Sequence, residues 1–290
     1  MAISLDDGEV IKLVSGSDLY GYPTVNPDGS LLAWIQWSHP NMPWDSTELF
    51  LAAVQANGSL SAPQKIAGAG ESITQPRWSP SGKLYYVSDR DNWWNIYNSD
   101  GEQLSLERAE FATPYWQFGM SCFDFIDSER MAGICSSNGR RIAGMLEEKS
   151  FSPLPSIYDN HYSACTHEGR LCTVASNKQC GPRIVAIEQN GDCEVLYNPS
   201  ALALDEADIS TPRTLYFDSG GAQVHAFYYP PCNGKFTKVE GEQPPLIAMC
   251  HGGPTDATDS SLSLQIQYWS SRGFAVVDIN YRCSTGLGRE

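Results

Sequence analysis

The sequence predicts two architectures in succession: a mostly β, partial β-propeller over residues 1–205, and the N-terminal part of an α/β domain over residues 206–290. Three observations carry this. A turn-and-strand unit recurs through the first two thirds. Asn-Gly and Asp-Gly pairs punctuate the same region. After residue 205 the texture changes to long apolar strands around one amphipathic segment.

The recurring unit is clearest in "PTVNPDGSLLAWIQ" (23–36) and "PRWSPSGKLYYVSD" (76–89), whose Pro-x-Gly turns begin 53 residues apart, at Pro27 and Pro80. Weaker echoes follow in "FDFIDSERMAGICSS" (123–137) and "YSACTHEGRLCTVAS" (162–176). Asp7-Gly8, Asn57-Gly58, Asp100-Gly101, Asn138-Gly139 and Asn190-Gly191 each sit between strand-like runs, and such pairs supply the positive φ that a tight hairpin turn needs. No stretch from 1 to 200 keeps a helical period with caps. Short strands in units of roughly forty to fifty residues indicate propeller blades, against the alternative of an antiparallel sandwich with coincidental spacing. About four blades are expected, preceded by a leftover hairpin in "LDDGEVIKLVSG" (5–16).

Beyond residue 205, "TPRTLYFDSGGAQVHAFYYPP" (211–231) reads as two strands around Gly220-Gly221, and "PPLIAMCHGG" as a near-continuous apolar strand. "DSSLSLQIQYWSSRG" (259–273) reads as a helix capped by Asp259 or Ser260, with Leu262, Ile266 and Trp269 on one face and Gly273 as its stop. "FAVVDIN" (274–280) reads as a strand covered on both faces. Strand, helix and strand imply a right-handed βαβ crossover and parallel pairing. Only 85 residues remain for this part, so one sheet edge is expected to be bare. Such an edge allows a homo-oligomer.

Composition excludes several classes. The formal net charge of −15, from 19 Lys+Arg against 34 Asp+Glu, disfavours phosphate backbones and anionic lipid, so neither nucleic acid nor membrane is an expected partner. No stretch approaches the ~20 apolar residues of a membrane span. The start, "MAISLDDGEV", has neither a basic nor an apolar leader region, and the nine cysteines include no Cys-x-x-Cys pair. A cytoplasmic protein with buried free thiols, Cys172 and Cys250 among them, is expected. No paired His or carboxylate spacing points to a metal, and no cofactor motif is present.

The chemistry-bearing motif is "LIAMCHGGP" (246–254), an apolar strand ending in His251-Gly252-Gly253-Pro254. In acyl transfer the carbonyl oxygen becomes negative, and fixed backbone N–H groups stabilise it. Glycine allows close approach of the backbone and unusual φ angles. Such a turn is the oxyanion-hole element of α/β-hydrolases. The order of propeller, "HGGP" and "YWSSRGFAVVDINYRCSTGLGRE" resembles the prolyl oligopeptidase family of serine peptidases, nearest its acylaminoacyl peptidase and dipeptidyl aminopeptidase subgroup. "HPNMPWD" (39–45) and "SDRDNWWNIY" (88–97) resemble that subgroup too, so the likeness covers essentially the whole chain. Cys283 stands where the family pattern has Gly, and Leu287 where it has Tyr.

The resemblance implies an α/β-hydrolase domain with a Ser-His-Asp triad, a propeller that caps the active site and filters by size, and short peptides as substrates. It implies that Gly253 donates a backbone N–H to the oxyanion hole, that Gly252 and His251 shape the turn, and that the His251 imidazole is structural. No Gly-x-Ser-x-Gly elbow occurs in the sequence: "GMSCF" (119–123) and "RCSTG" (282–286) both fail the pattern. His39, His161, His167 and His225 fall in strands or blades. The expectation is therefore a piece of a serine peptidase, truncated at both ends, inactive alone because nucleophile, acid and base are absent. The rival expectation is a non-catalytic propeller that binds a peptide or protein partner.

Overall fold

The computed structural model describes residues 1–68, 70–117, 119–128, 130–200, 204–237, 239–253 and 255–289. Glu129, Pro254 and Glu290, each within a stretch quoted above, lie outside the described residues, as do residues 201–203 beside the expected domain boundary.

A short hairpin, β1 (Ala2–Ile3) with β2 (Val10–Ile11), precedes the blades. The first blade is β3 (Leu19–Val25), β4 (Leu31–Trp37), β5 (Glu48–Ala53) and β6 (Gln64–Ala67), paired in chain order. The second is β7 (Ile73–Trp78), β8 (Leu84–Ser88) and β9 (Asn95–Asn98). The third is β10 (Phe123–Phe125), β11 (Met131–Ser137), β12 (Arg140–Glu147) and β13 (Ser150–Pro153); the fourth is β14 (Asn160–His167), β15 (Arg170–Asn177), β16 (Cys180–Ile187) and β17 (Cys193–Tyr197). One parallel bridge, Arg141 to Asn160, joins the third blade to the fourth. Among the described residues there is no helix before a three-residue 3₁₀ turn at Glu206–Asp208.

The repeated sequence unit is the inner hairpin of a blade. In β3–β4 the Gly29 N–H donates to Asn26 O, and in β7–β8 the Gly82 N–H donates to Ser79 O. Both hairpins carry a bulge upstream, with Tyr22 (φ 47) and Gln75 (φ 48) in the left-handed region, again 53 residues apart. A third bulge places Ser163 at φ 57 in β14. Each of the first two aims a side chain across the blades. Tyr22 Oη donates to Met120 O (2.7 Å), while Gln75 Nε2 donates to Phe123 O (2.9 Å) and its Oε1 accepts from Cys122 N (2.7 Å). Among the five Asn/Asp-Gly turns, only Asn138-Gly139 has both residues at positive φ (51 and 69). In the other four the glycine alone does so, because those loops are longer and close on hydrogen bonds such as Gly58 N–H to Gln55 O.

The core lies between the blades. Ile35, Leu49, Ile73, Leu84 and Tyr86 fill the first gap; Val87, Ile96, Phe111, Phe123 and Met131 the second; Ile134, Ala143, Leu171, Val185 and Ile187 the third. Alternate strand residues point to opposite faces, so the second and third blades each contribute to two gaps and hold both neighbours. The cysteines are free, as expected, but only Cys135 is buried; Cys165, Cys250 and Cys283 are exposed. Cys250 is uncovered because it shares the exposed face of its strand with Leu246 and Ala248.

The remaining sheet contains β18 (Arg213–Ser219), β19 (Ala222–Tyr229), β20 (Leu246–Cys250) and β21 (Ala275–Asn280), in the order β18-β19-β21-β20. β20 and β21 are parallel and linked by α1 (Leu264–Ser270). Phe227, Tyr229, Ile266 and Val276 form its core. The helix starts later than expected. Ser263 is the N-cap, its hydroxyl accepting from Ile266 N–H. Asp259 and Ser260 are engaged by blade four instead of capping the helix: Tyr162 donates to Asp259, Asn160 Nδ2 to Ser260 Oγ (3.1 Å), and the Leu262 N–H to Asn177 O (2.9 Å). Gly273 (φ 90) ends the helical turn as expected.

Candidate functional site

The loops after β20 and β21 leave the carboxyl ends of adjacent parallel strands, where open α/β sheets form their crevice. The first loop contains His251, Gly252 and Gly253; the second is "YRCSTGLGR" (281–289). The His251 ring stacks on Tyr281 with centroids 4.3 Å apart and planes 18° from parallel. Nδ1 lies 2.7 Å from Gly252 O, a pure acceptor, so Nδ1 carries the proton and Nε2 accepts from Ser284 Oγ at 2.6 Å. Both ring nitrogens are thus occupied in fixing the turn. Tyr281 Oη also donates to His251 O (3.3 Å).

Gly252 and Gly253 are exposed. Neither has a left-handed φ, so the expected unusual backbone angles do not occur. What glycine supplies is bare backbone: nothing lies within 4 Å of a Cβ placed on Gly252, and one on Gly253 would come 3.2 Å from Tyr281 Oη. Among the described residues, neither N–H donates to a protein acceptor.

The same sheet carries a polar cluster in which His225 and Asn280 are buried and Thr258 and Asp278 half-buried. Asn280 Nδ2 donates to Thr258 O and to His225 Nδ1 (both 3.0 Å), and Asn280 Oδ1 accepts from Thr258 N (2.8 Å). His225 therefore holds its proton on Nε2, and burial lowers its pKa. Thr258 donates to Asp278, whose pKa is raised by burial.

Two straps fasten the loops to the propeller. Residues 259–262 dock on blade four as described, with Ser176 Oγ 2.7 Å from Ser261 Oγ. Arg289 donates to Asp89 Oδ2 (2.5 Å) and to Asp45 O (2.7 Å), and its N–H bonds Asn92 O (2.8 Å). Glu110 accepts from Gly288 N (3.1 Å) and Trp94 N (2.7 Å), and burial pushes its pKa up to about 7. Cys283 adopts φ 71, the region that favours glycine.

The three residues singled out in the sequence are contiguous and lie at the crevice. Sequence reasoning missed Tyr281 and Ser284, the partners of His251, although both lie in the stretch that carried the resemblance. Contacts between two loops 30 residues apart leave no periodic trace in sequence.

No family model matches the chain. The structure is similar to a puromycin-hydrolysing peptidase of Mycobacterium tuberculosis, with 33% identity, a TM-score of 0.92, and coverage of 98% of this chain and 46% of that one. Dipeptidyl-peptidase 5 of Trichophyton schoenleinii is 22% identical over 276 residues, which cover 92% of this chain and 31% of the relative. A prolyl endopeptidase structure at 13% identity and TM-score 0.64, covering 92% of this chain and 38% of that chain, shares the fold. The chain thus spans less than half the length of each of these three proteins. These likenesses, each over more than nine tenths of the chain, support its kinship with the prolyl oligopeptidase family of peptidases.

Proposed function

We propose that the chain supplies the propeller and the oxyanion turn of a serine peptidase that hydrolyses short peptides at a free or blocked N-terminus through an acyl-enzyme. The observation that carries this is the His251-Gly252-Gly253 turn: a rigidly braced imidazole on one side, and on the other two exposed glycines whose N–H groups are uncommitted among the described residues. The 33% identity to a puromycin-hydrolysing peptidase supports the reaction class. In this reading the Gly253 N–H is the oxyanion donor, Gly252 keeps the approach open, and His251 positions the turn. The division falls near residue 205, with the nucleophile, acid and base on polypeptide downstream of residue 290. Nine free thiols fit a cytoplasmic setting, and the open edge of β20 fits self-association or cover by further chain.

The test compares the 290-residue chain with the product of an extended reading frame. The chain alone should not turn over aminoacyl or acyl-aminoacyl chromogenic substrates. The extended protein should, through a serine in Gly-x-Ser-x-Gly followed by Asp and His. In it, Gly253→Pro removes one N–H and should lower kcat by roughly 10²–10³-fold. Turnover by the short chain that a serine-directed phosphonate blocks, or an extended frame without the elbow, overturns the proposal; the latter leaves the propeller as a binding module.

A further inference from the structure

The fourth blade carries two thiols in a relation found for no other cysteine pair among the described residues. Cys165 on β14 and Cys172 on β15 are direct cross-strand partners. Directly opposed residues of an antiparallel pair have Cα atoms about 4.5–5.5 Å apart, inside the roughly 4.4–6.8 Å that a disulfide spans. Their side chains leave the same face of the hairpin, and Cys165 Sγ lies 3.7 Å from Cys172 O. Cys165 is exposed and Cys172 half-buried, so a reagent reaches the first and the second is sheltered beside it. The hairpin is closed by a tight turn with Glu168 (φ 50) and Gly169 (φ 77), which fixes the register. Arg77 and Asp124 form an ion pair (2.6 Å) next to the site, and Thr166 N–H donates to Asp124 Oδ2 (2.8 Å), bracing the strand that carries Cys165.

We propose that Cys165 and Cys172 form a thiol-modification site, a dithiol that small disulfides such as oxidised glutathione convert to a cross-strand disulfide. The Cys165 thiolate attacks one sulfur of the oxidant, breaks its S–S bond and expels one glutathione thiolate, leaving a mixed disulfide. The Cys172 thiolate attacks the Cys165 sulfur and expels the second glutathione. The two thiol protons end on the two glutathiones; the protein loses two electrons and the oxidant gains them. Burial, followed by the adjoining Cys172 thiol, raises the Cys165 pKa, so exchange accelerates above neutral pH. The far end of the same hairpin holds the 259–262 strap through Asn160, Tyr162 and Asn177. The disulfide therefore ties together the strands on which that strap rests.

The test incubates the native 290-residue chain in glutathione redox buffers, quenches with an alkylating reagent and maps thiols by peptide mass spectrometry. The expected result is a Cys165–Cys172 disulfide with no glutathione retained at either position. Cys172→Ser should trap glutathione on Cys165, and Cys165→Ser should leave Cys172 alkylated. Phenylarsine oxide, which bridges close dithiols, should bind the reduced wild-type chain at this pair and lose that binding in either variant. If Cys165 keeps glutathione in the wild-type chain, or if both thiols stay alkylated under buffers that already modify Cys250 and Cys283, the proposal is overturned. Serine is close to isosteric at these positions, and circular dichroism of each variant separates misfolding from loss of the reaction.

Discussion

Cys283 and Gly139 show how much one backbone angle decides. Cys283 sits at φ 71 in the loop after β21, at the position where the family pattern has glycine. A side chain there costs about 1–2 kcal/mol, partly offset by the smaller entropy it loses on folding. Cys283→Gly should therefore stabilise the chain by about 0.5–1 kcal/mol in urea unfolding; a loss of stability would show that the thiol makes a contact worth more than the angle. Gly139 is the opposite case. It combines φ 69 with a blocked face, since a Cβ there would lie 2.7 Å from His225 Cε1 and 2.9 Å from the Phe227 ring. Gly139→Ala must push the turn away from β19, and about 2–4 kcal/mol of destabilisation is expected; an unchanged thermal midpoint would mean that the turn and β19 do not pack as described. The turn itself was legible as Asn-Gly. The second demand on Gly139 was not, because it comes from a strand more than 80 residues later. The same limit hid Tyr22 and Gln75: their left-handed angles precede prolines, and only the pairing of β3 with β4 and β7 with β8 reveals the bulges.

At the scale of elements, local pattern was enough wherever neighbours agreed with it. Strand runs, the Pro-x-Gly hairpins, the β18–β19 turn at Gly220-Gly221 and the helix stop at Gly273 were all readable. The helix start was not, because blade four competes for Asp259 and Ser260 and wins with bonds from Tyr162 and Asn160. The strap at 288–289 depends on a group no motif marks. Glu110 is buried, and its pKa rises from 4.5 to about 7 through desolvation, with Asp89 adding to the rise and the N–H groups of Trp94 and Gly288 opposing it. A carboxyl with a raised folded pKa binds its proton more tightly in the folded chain. Between about pH 4.5 and 7 the unfolded chain holds fewer protons, so stability falls as pH rises through that window and the loss is complete above it. Glu110→Gln should flatten this dependence. From pH 5 to 8 the wild-type chain should lose on the order of 2–3 kcal/mol relative to the variant in parallel denaturant titrations. Parallel curves for the two proteins would place Glu110 in contact with solvent instead.

The whole molecule depends on the propeller to hold a second part with little core of its own. Phe227, Tyr229, Ile266 and Val276 are its central buried side chains, all seven residues of β18 are exposed, and β20 lies at the sheet edge, paired on one side by β21. Fully burying such a side chain contributes only about 1.5–3 kcal/mol, set against ordering a segment of some 80 residues, so this core alone is marginal. The straps make up the difference. Tyr162 satisfies Asp259, and Arg289 neutralises Asp89, which is 5% exposed and whose pKa burial raises. Removing Arg289 leaves that carboxylate buried without its cation, which is costlier than the pair is worth. Tyr162→Phe with Arg289→Ala should therefore raise hydrogen exchange across β19, β20 and β21 by at least tenfold, while the amides of β4, β5 and β8, enclosed between blades, keep wild-type protection. Equal loosening of both regions would mean that blades and βαβ unit open as one cooperative body. No change in either would mean that the sheet of β18–β21 holds itself together, and that the straps serve only to aim the His251-Gly252-Gly253 turn.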